Sequence, residues 1–260
     1  MSSPPNLSFT RFIFIIPRND DDAFAARLRT AGGAIVRGFF NDFDADGGAR
    51  DAQSAQETMQ FLVADEDVHP DSQMSAAPYA VQVTGKYRPR LREVENELRR
   101  RVGEGAAFLS LEGAERAPRY TSAELHEFAY RRAAARRSGR HAACVRILPV
   151  SKAPEWWTQP TLERHAFFYP HVDPTTGCPV PGHAQAAEAG IATIYRRLFH
   201  NPDGYQRRGE YDFLTYFECD PDHIATFDGV LRALRDTTMN PEWRYVREGP
   251  LWRGRRVLRW

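Results

Sequence analysis

The sequence has little that would tie it to a disulfide scaffold, a membrane or a polyanion. Its three cysteines, Cys144, Cys178 and Cys219, are odd in number, lie far apart and form no CxxC pair. That excludes a disulfide framework and the common structural zinc patterns, and fits reduced thiols in a cytoplasm. No run approaches the roughly 20 apolar residues needed to cross a bilayer. The apolar run from Phe12 to Ile16 is closed by Pro17 and Arg18 with no basic segment ahead of it, so it reads as a strand and not as a secretion signal. Net charge is nearly absent: 35 Lys plus Arg stand against 34 Asp plus Glu, which removes any general reason to expect nucleic acid or an anionic membrane as partner. Glycines are scattered as turn formers with no Walker or dinucleotide fingerprint, so a nucleotide cofactor has no support. His165, His171, Cys178 and His183 share one loop region, but their spacing fits no common zinc site. The expected partner is a small molecule.

What is present is a chain of 260 residues, enough for one large domain or two fused, similar halves. Phe9 to Ile16 reads as a strand, followed by a helix from Asp20 to Thr30 that stops at Gly32-Gly33, then a strand from Ile35 to Phe40. Asn41 to Gln56 is a polar loop. Glu57 to Ala64 and Tyr79 to Thr84 read as strands, Arg90 to Arg101 as a charged helix and Phe108 to Leu111 as a strand. Ala123 to Arg137 is helical in pattern, and its arginine cluster suits a solvated helix C-terminus. A junction between halves is placed near Ser138-Gly139. Beyond it come a strand from Ala142 to Val150, a short helix from Pro160 to His165, an irregular loop from His171 to Gly182 and a helical piece from Ala184 to Glu188. Ile191 to Phe199 and Tyr211 to Cys219 read as strands. Asp220 and Pro221 then open a helix with the stripe Ile224, Phe227, Leu231 and Leu234, and Trp243 to Val246 and Arg256 to Leu258 close the chain as strands. Helices laid over antiparallel strands make an α+β architecture.

One residue does not suit its face. Alternation along Ile191 to Phe199 groups Arg196 with Ala192, Ile194 and Leu198, while Arg197 takes the other, solvent-facing side. A guanidinium among aliphatic side chains needs an anion or a carboxylate, because an unpaired buried charge is costly. A paired core ion or a snorkelling side chain is the ordinary outcome. The strand from Asp212 to Cys219 adds context, since Phe213, Thr215, Phe217 and Cys219 share one face. Paired antiparallel with the arginine strand, it sets aromatic rings beside a cation, which suits a pocket for a small anion and is equally compatible with an aromatic core.

The blocks Arg197-Leu-Phe-His200, Tyr211-Asp-Phe-Leu-Thr-Tyr-Phe-Glu218 and Ala225-Thr-Phe227 with Leu231, preceded by Ile147-Leu-Pro-Val-Ser-Lys152 and Glu155-Trp-Trp157, resemble the C-terminal half of the chlorite dismutase family. The resemblance implies a ferredoxin-like dimeric α+β barrel with two similar halves in one chain, residues 1–139 structural and residues 140–260 binding haem b. It also implies a homo-oligomer, often a pentamer, and conversion of chlorite into chloride and dioxygen. By the same resemblance Arg196 is the distal arginine and Phe217 the distal phenylalanine. Trp156 and Trp157 lie near the haem, and Lys152 meets a propionate. His183, thirteen positions before Arg196, is the axial ligand of the haem iron, with His171 as the alternative because it stands at the family's distance from Trp157.

Three positions depart from the pattern. Residues 166–182 form an insertion, Met239 stands where the family has a glutamate bonded to the proximal imidazole, and Glu248 stands where close relatives have a tryptophan. Leu148 occupies the position of a tyrosine that a sister group uses in coproporphyrin decarboxylation, leaving Tyr195 and Tyr169 as distant substitutes. The expected activity is therefore oxidoreduction of a small oxidant, chlorite or peroxide. The alternatives are a haem-dependent biosynthetic step on a small organic substrate, favoured by the missing carboxylate, and haem binding without turnover.

Overall fold

A computed structural model describes residues 8–39, 58–66, 71–115 and 143–260. The polar loop expected from Asn41 to Gln56, the helix from Ala123 to Arg137 with its arginine cluster, and the junction at Ser138-Gly139 lie outside these residues.

Nine described strands form one antiparallel sheet. In chain order these are β1 (Ser8–Pro17), β2 (Thr58–Ala64), β3 (Tyr79–Gly85), β4 (Ala106–Glu115), β5 (Cys144–Lys152), β8 (Tyr195–His200), β9 (Phe213–Cys219), β10 (Val246–Glu248) and β11 (Trp252–Val257). Their order is β10-β5-β11-β2-β3-β1-β4-β8-β9, and β5 also pairs with β9, so the sheet closes on itself into a barrel with β10 on an outer edge. Two further strands, β6 (His171–Val172) and β7 (Pro179–Val180), make a separate hairpin in the segment read as irregular. The α+β barrel expected from the sequence is thus the observed architecture.

Closure explains β1. Phe12 and Phe14 point into the barrel with Leu62, Val145, Ile147, Tyr195, Phe199, Leu214, Tyr216 and Trp252. Ile13 and Ile15 point outward, under helices α1 (Asp22–Phe39) and α2 (Arg88–Val102), beside Phe24, Leu28, Leu91 and Leu98. A strand covered on both faces reads as an unbroken apolar run.

The helix α1 corrects the expected stop at Gly32-Gly33 and the strand from Ile35 to Phe40, because it runs through both glycines. Gly32 faces the sheet closely enough that a Cβ there would lie 2.9 Å from Phe61 Cε1. Close packing, not chain reversal, is its use. Other boundaries also differ. Residues 191–193 are turn, and Asp220 and Pro221 stand as expected at the N-cap and first position, but of a 3₁₀ turn, Pro221–His223, that leads into α6 (Ile224–Arg235). Trp243 sits in a 3₁₀ turn, Pro241–Tyr245, and not in a strand.

Candidate active site

Alternation along β5, β8 and β9 sends Leu148, Val150 and Lys152, Arg196 and Leu198, and Phe213, Thr215 and Phe217 to the outer face of the barrel wall. Cross-strand pairing sets Arg196 opposite Phe217, Leu198 opposite Thr215, Leu148 opposite Thr215 and Val150 opposite Phe213. On this face Arg196, Leu198, Thr215 and Phe217 are only half-buried, whereas Tyr195, Phe199, Leu214 and Tyr216 on the opposite face are buried in the barrel. The expected pairing of the arginine strand with an aromatic strand is present.

Arg197 is the correction. It is 7 % exposed, its guanidinium lies 4.5 Å from the Tyr195 ring centroid, and its Nε is 3.6 Å from Glu115 Oε1. Tyr195, Arg197 and Phe199 turn to the buried side of β8 and Arg196 and Leu198 to the half-buried side, so a period of two separated the faces without telling which one met solvent. The same geometry takes Tyr195 into the interior, on the other side of the wall from Arg196, and leaves Tyr169 exposed.

Three short elements lie over the outer face. Helix α3 (Pro154–Thr158) opens on Pro154 directly after β5 and carries Trp156 and Trp157. Trp157 stacks on Phe213 of β9, ring centroids 6.1 Å apart. After α4 (Thr161–Ala166), helix α5 (Gly182–Ala187) carries His183, and its Ala186 and Ala187 pack with Ile194 and Phe227 in the cluster that Phe217 joins. The Pro241–Tyr245 turn brings Glu242.

These elements converge on one carboxylate. Glu242 Oε2 lies 3.2 Å from His183 Nδ1, and Glu242 Oε1 accepts from Lys152 Nζ at 2.6 Å. The same ammonium sits 4.2 Å from the Trp156 ring centroid. Burial pushes the Glu242 carboxyl upward, but the Lys152 charge and the His183 contact outweigh it and hold the group down at about 2. Lys152 is lowered, chiefly by burial. Lys152, Trp156 and His183 are therefore brought together as one cluster. Arg196 and Phe217 form a second on the sheet beneath, and Trp157 stands beside Phe213. The Lys152 ammonium is engaged with Glu242, which was not its expected partner.

Glu242 is also the residue sequence reasoning missed. Met239 does not take the carboxylate position: its carbonyl accepts Gly182 N–H at 2.9 Å, and the acid arrives three residues later. Counting positions failed because the chain turns at Asn240-Pro241 before presenting a side chain to His183. The available signal was that Glu242 is the only acidic residue between Asp236 and Glu248. Glu248 itself is bonded to Arg235 and accepts from Trp243 Nε1 at 3.0 Å.

Among the described residues His171 has no such partner. Its Nδ1 meets the Tyr169 carbonyl at 2.7 Å, and its Nε2 is buried without a hydrogen bond. His183 keeps Nε2 without a protein partner among the described residues while Nδ1 is held by a carboxylate. That is the arrangement of an imidazole ligand with an outer-sphere acid.

Gly182 aims His183. Its φ is +80°, and a Cβ would lie 2.4 Å from the Tyr169 carbonyl oxygen. The next two amides, of His183 and Ala184, donate to Phe167 O and Phe168 O at 3.0 Å. Gly182→Ala is expected to cost about 1–3 kcal/mol, the scale of one strained backbone position, and to displace His183. Thermal unfolding together with the imidazole NMR shifts of His183 checks this, and unchanged values for both would show that the loop simply relaxes.

No family model and no curated protein matches this sequence. Solved structures do. Chlorite dismutase from Candidatus Nitrospira defluvii in complex with imidazole aligns over 98% of this chain and 92% of its own, at 17% identity and a TM-score of 0.67. A mutant of that enzyme in complex with cyanide aligns over 96% of this chain and 90% of its own, at 17% identity and 0.66. A further mutant reaches 0.68 over 98% and 93%, at 16% identity. The likeness spans nearly the whole of both chains, and the fold of this protein is that of the chlorite dismutases.

Proposed function

We propose that this protein is a haem-dependent oxidoreductase acting on a small oxidant, chlorite or hydrogen peroxide. The observation that carries the reading is His183 held through Nδ1 by Glu242, on an element laid over the sheet face that presents Arg196 and Phe217. The donor set fits a haem. His183 Nε2 is a candidate ligand for its iron, and the buried indole N–H of Trp156, a residue 1 % exposed, has no acceptor among the described residues, a role that a cofactor carboxylate would fill. Bound there, haem b would supply an iron able to take up an anionic or peroxidic oxidant and exchange electrons with it.

The protein's residues have separate tasks. Glu242 holds the His183 ring through Nδ1 and leaves Nε2 turned to the cofactor. Lys152 offsets the carboxylate's charge. Arg196, always protonated, attracts an oxyanion, orients it and holds a leaving oxyanion in place, so it is a clamp and not a base. Phe217 covers one side of that cation with an apolar ring, which strengthens its field by keeping water away. In this reading residues 140–260 hold the cofactor, residues 1–139 serve as scaffold, and the chain works as a homo-oligomer, by likeness a pentamer, in the cytoplasm. The missing carboxylate had favoured a biosynthetic step on an organic substrate, and with Glu242 in place that argument lapses.

The test is to express the protein with haem supplied, record its absorption spectrum, and add chlorite while following dioxygen, then peroxide with an electron donor. Haem binding without turnover of either oxidant would leave only a carrier. Arg196→Ala is expected to retain haem and to lower kcat/KM for chlorite about tenfold to hundredfold, since one charge-assisted contact is worth roughly 1.5–3 kcal/mol. Equal kcat/KM in the variant would return Arg196 to a packing role.

A further inference from the structure

The loop between β8 and β9 carries an aromatic unit that the proposed oxidant chemistry does not use. Tyr205 is half-buried in a stretch whose next residues, Gln206, Arg207 and Arg208, are exposed. Its ring stacks on Trp157, centroids 4.4 Å apart at 19°, and Trp157 stacks in turn on Phe213 of the site face. Its phenol oxygen lies 2.8 Å from Nδ1 of His200, a residue with no solvent exposure. The loop is held in place: Arg88 grips Asp203 through two contacts of 2.7 and 2.6 Å, and Asn201 Nδ2 donates to Glu210 and to the Tyr211 carbonyl.

A phenol that loses an electron becomes a strong acid, so a base already within hydrogen-bond reach makes the oxidation easier by taking the proton at once. A stacked indole on the opposite flank gives the electron a contact path. Tyr216 also has a neighbouring acceptor, Glu218, but it is 1 % exposed inside the barrel and out of reach of any reductant in solution. Tyr205 alone among these joins a base, a stacked indole and an exposed loop.

We infer that Tyr205, with His200 as proton acceptor and Trp157 as electron conduit, is a redox-active tyrosine through which small phenolic reductants at the 202–209 loop deliver electrons to the site. This rests on the haem reading above. In each event the Tyr205 O–H bond breaks, its proton passes to His200 Nδ1 and one electron passes to Trp157 and on to the oxidised site. The tyrosyl radical then takes a hydrogen atom from a phenol. Two such events reduce one hydroperoxide: ROOH plus two ArOH give ROH, water and two ArO radicals, the His200 protons ending on the peroxide oxygens.

The experiment freezes haem-loaded protein after addition of hydrogen peroxide, records electron paramagnetic resonance, and in parallel measures guaiacol oxidation. The expected result is a tyrosyl signal that Tyr205→Phe removes and a guaiacol rate that falls about tenfold in Tyr205→Phe and in His200→Gln, the scale of one hydrogen bond's driving force. An unchanged signal and rate in Tyr205→Phe overturns the inference. A second arm oxidises haem-free protein with photogenerated tris(bipyridine)ruthenium(III). Loss of the first-formed tyrosyl radical in Tyr205→Phe supports the Tyr205–His200 pair even if no haem binds, an outcome that sinks only the haem reading. The same radical in parent and variant counts against the pair whether or not haem binds.

Discussion

His183→Ala, prepared with haem in excess, is expected to lose the spectrum of histidine-ligated iron, whereas His171→Ala keeps it. The two histidines could not be separated by spacing, but they differ in what holds them. The His171 ring is fixed by the carbonyl two residues before it, a contact available to any loop histidine, and packs edge-on against Phe167. His183 is fixed by Glu242, from a distant turn, and Glu242 is in turn fixed by Lys152 at the end of β5. Glu242→Gln sharpens the test. It preserves shape and removes the negative charge, so ligation is expected to persist while the iron's reduction potential rises, because less electron density reaches it through the imidazole. Outer-sphere partners of this kind are worth about 10- to 100-fold in affinity or activity. Retention of the histidine spectrum in His183→Ala would exclude this site.

The same carboxylate sets an acid limit. Its folded-state value of about 2 lies below the ordinary 4.5, so its contribution to stability is fully present above 4.5 and disappears as pH falls through about 2. Between pH 5 and 8 the His183–Glu242 contact is therefore expected to lose nothing through protonation of the acid. A titration of the haem-loaded spectrum reads this directly, and a carboxylate step above pH 5 would mean that Lys152 and His183 do not hold Glu242 as the structure places them.

Arg256→Met is expected to destabilise the fold by about 3–5 kcal/mol, the cost of leaving a buried charge without its partner. Arg256 Nη1 meets Glu218 Oε2 at 3.1 Å, with side chains 3% and 5% exposed. The other oxygen of Glu218 accepts from the Tyr216 hydroxyl and, at 3.3 Å, from Gln60. Gln60 lies on β2, Glu218 and Tyr216 on β9 and Arg256 on β11, so the group ties strands contributed by both ends of the chain across the barrel interior. Glu218→Gln combined with Arg256→Met removes both charges and is expected to recover part of the loss, as replacing a buried pair by neutral groups is far less costly than halving it. Urea unfolding of the two variants gives the comparison. A loss under about 1 kcal/mol in the single variant would indicate that water reaches the pair.

Much of the fold was legible because it is written in local patterns. The β1 run, the charged helix α2 and the stripe of α6 each follow from side-chain pattern within one element. So does the grouping of Phe213, Thr215 and Phe217 on one face opposite Arg196. The misreadings share a cause. Gly32-Gly33 looked like a helix stop, yet the helix continues through both and Gly32 admits the ring of Phe61 from β2. Arg197 looked solvent-facing, yet barrel closure places Tyr195 and Glu115 around it.

The sequence alone thus determined the class of the fold, the strand pairing that sets a cation beside aromatic rings, and the small set of histidines from which a ligand could come. Only the tertiary structure decided which histidine has a carboxylate behind it, which arginine is buried, and that the carboxylate beside His183 is Glu242 and comes from the turn after Met239. Periodicity constrains which way a side chain points relative to its own backbone. What it meets there is settled by segments far away in the chain, and charge pairing depends on that meeting.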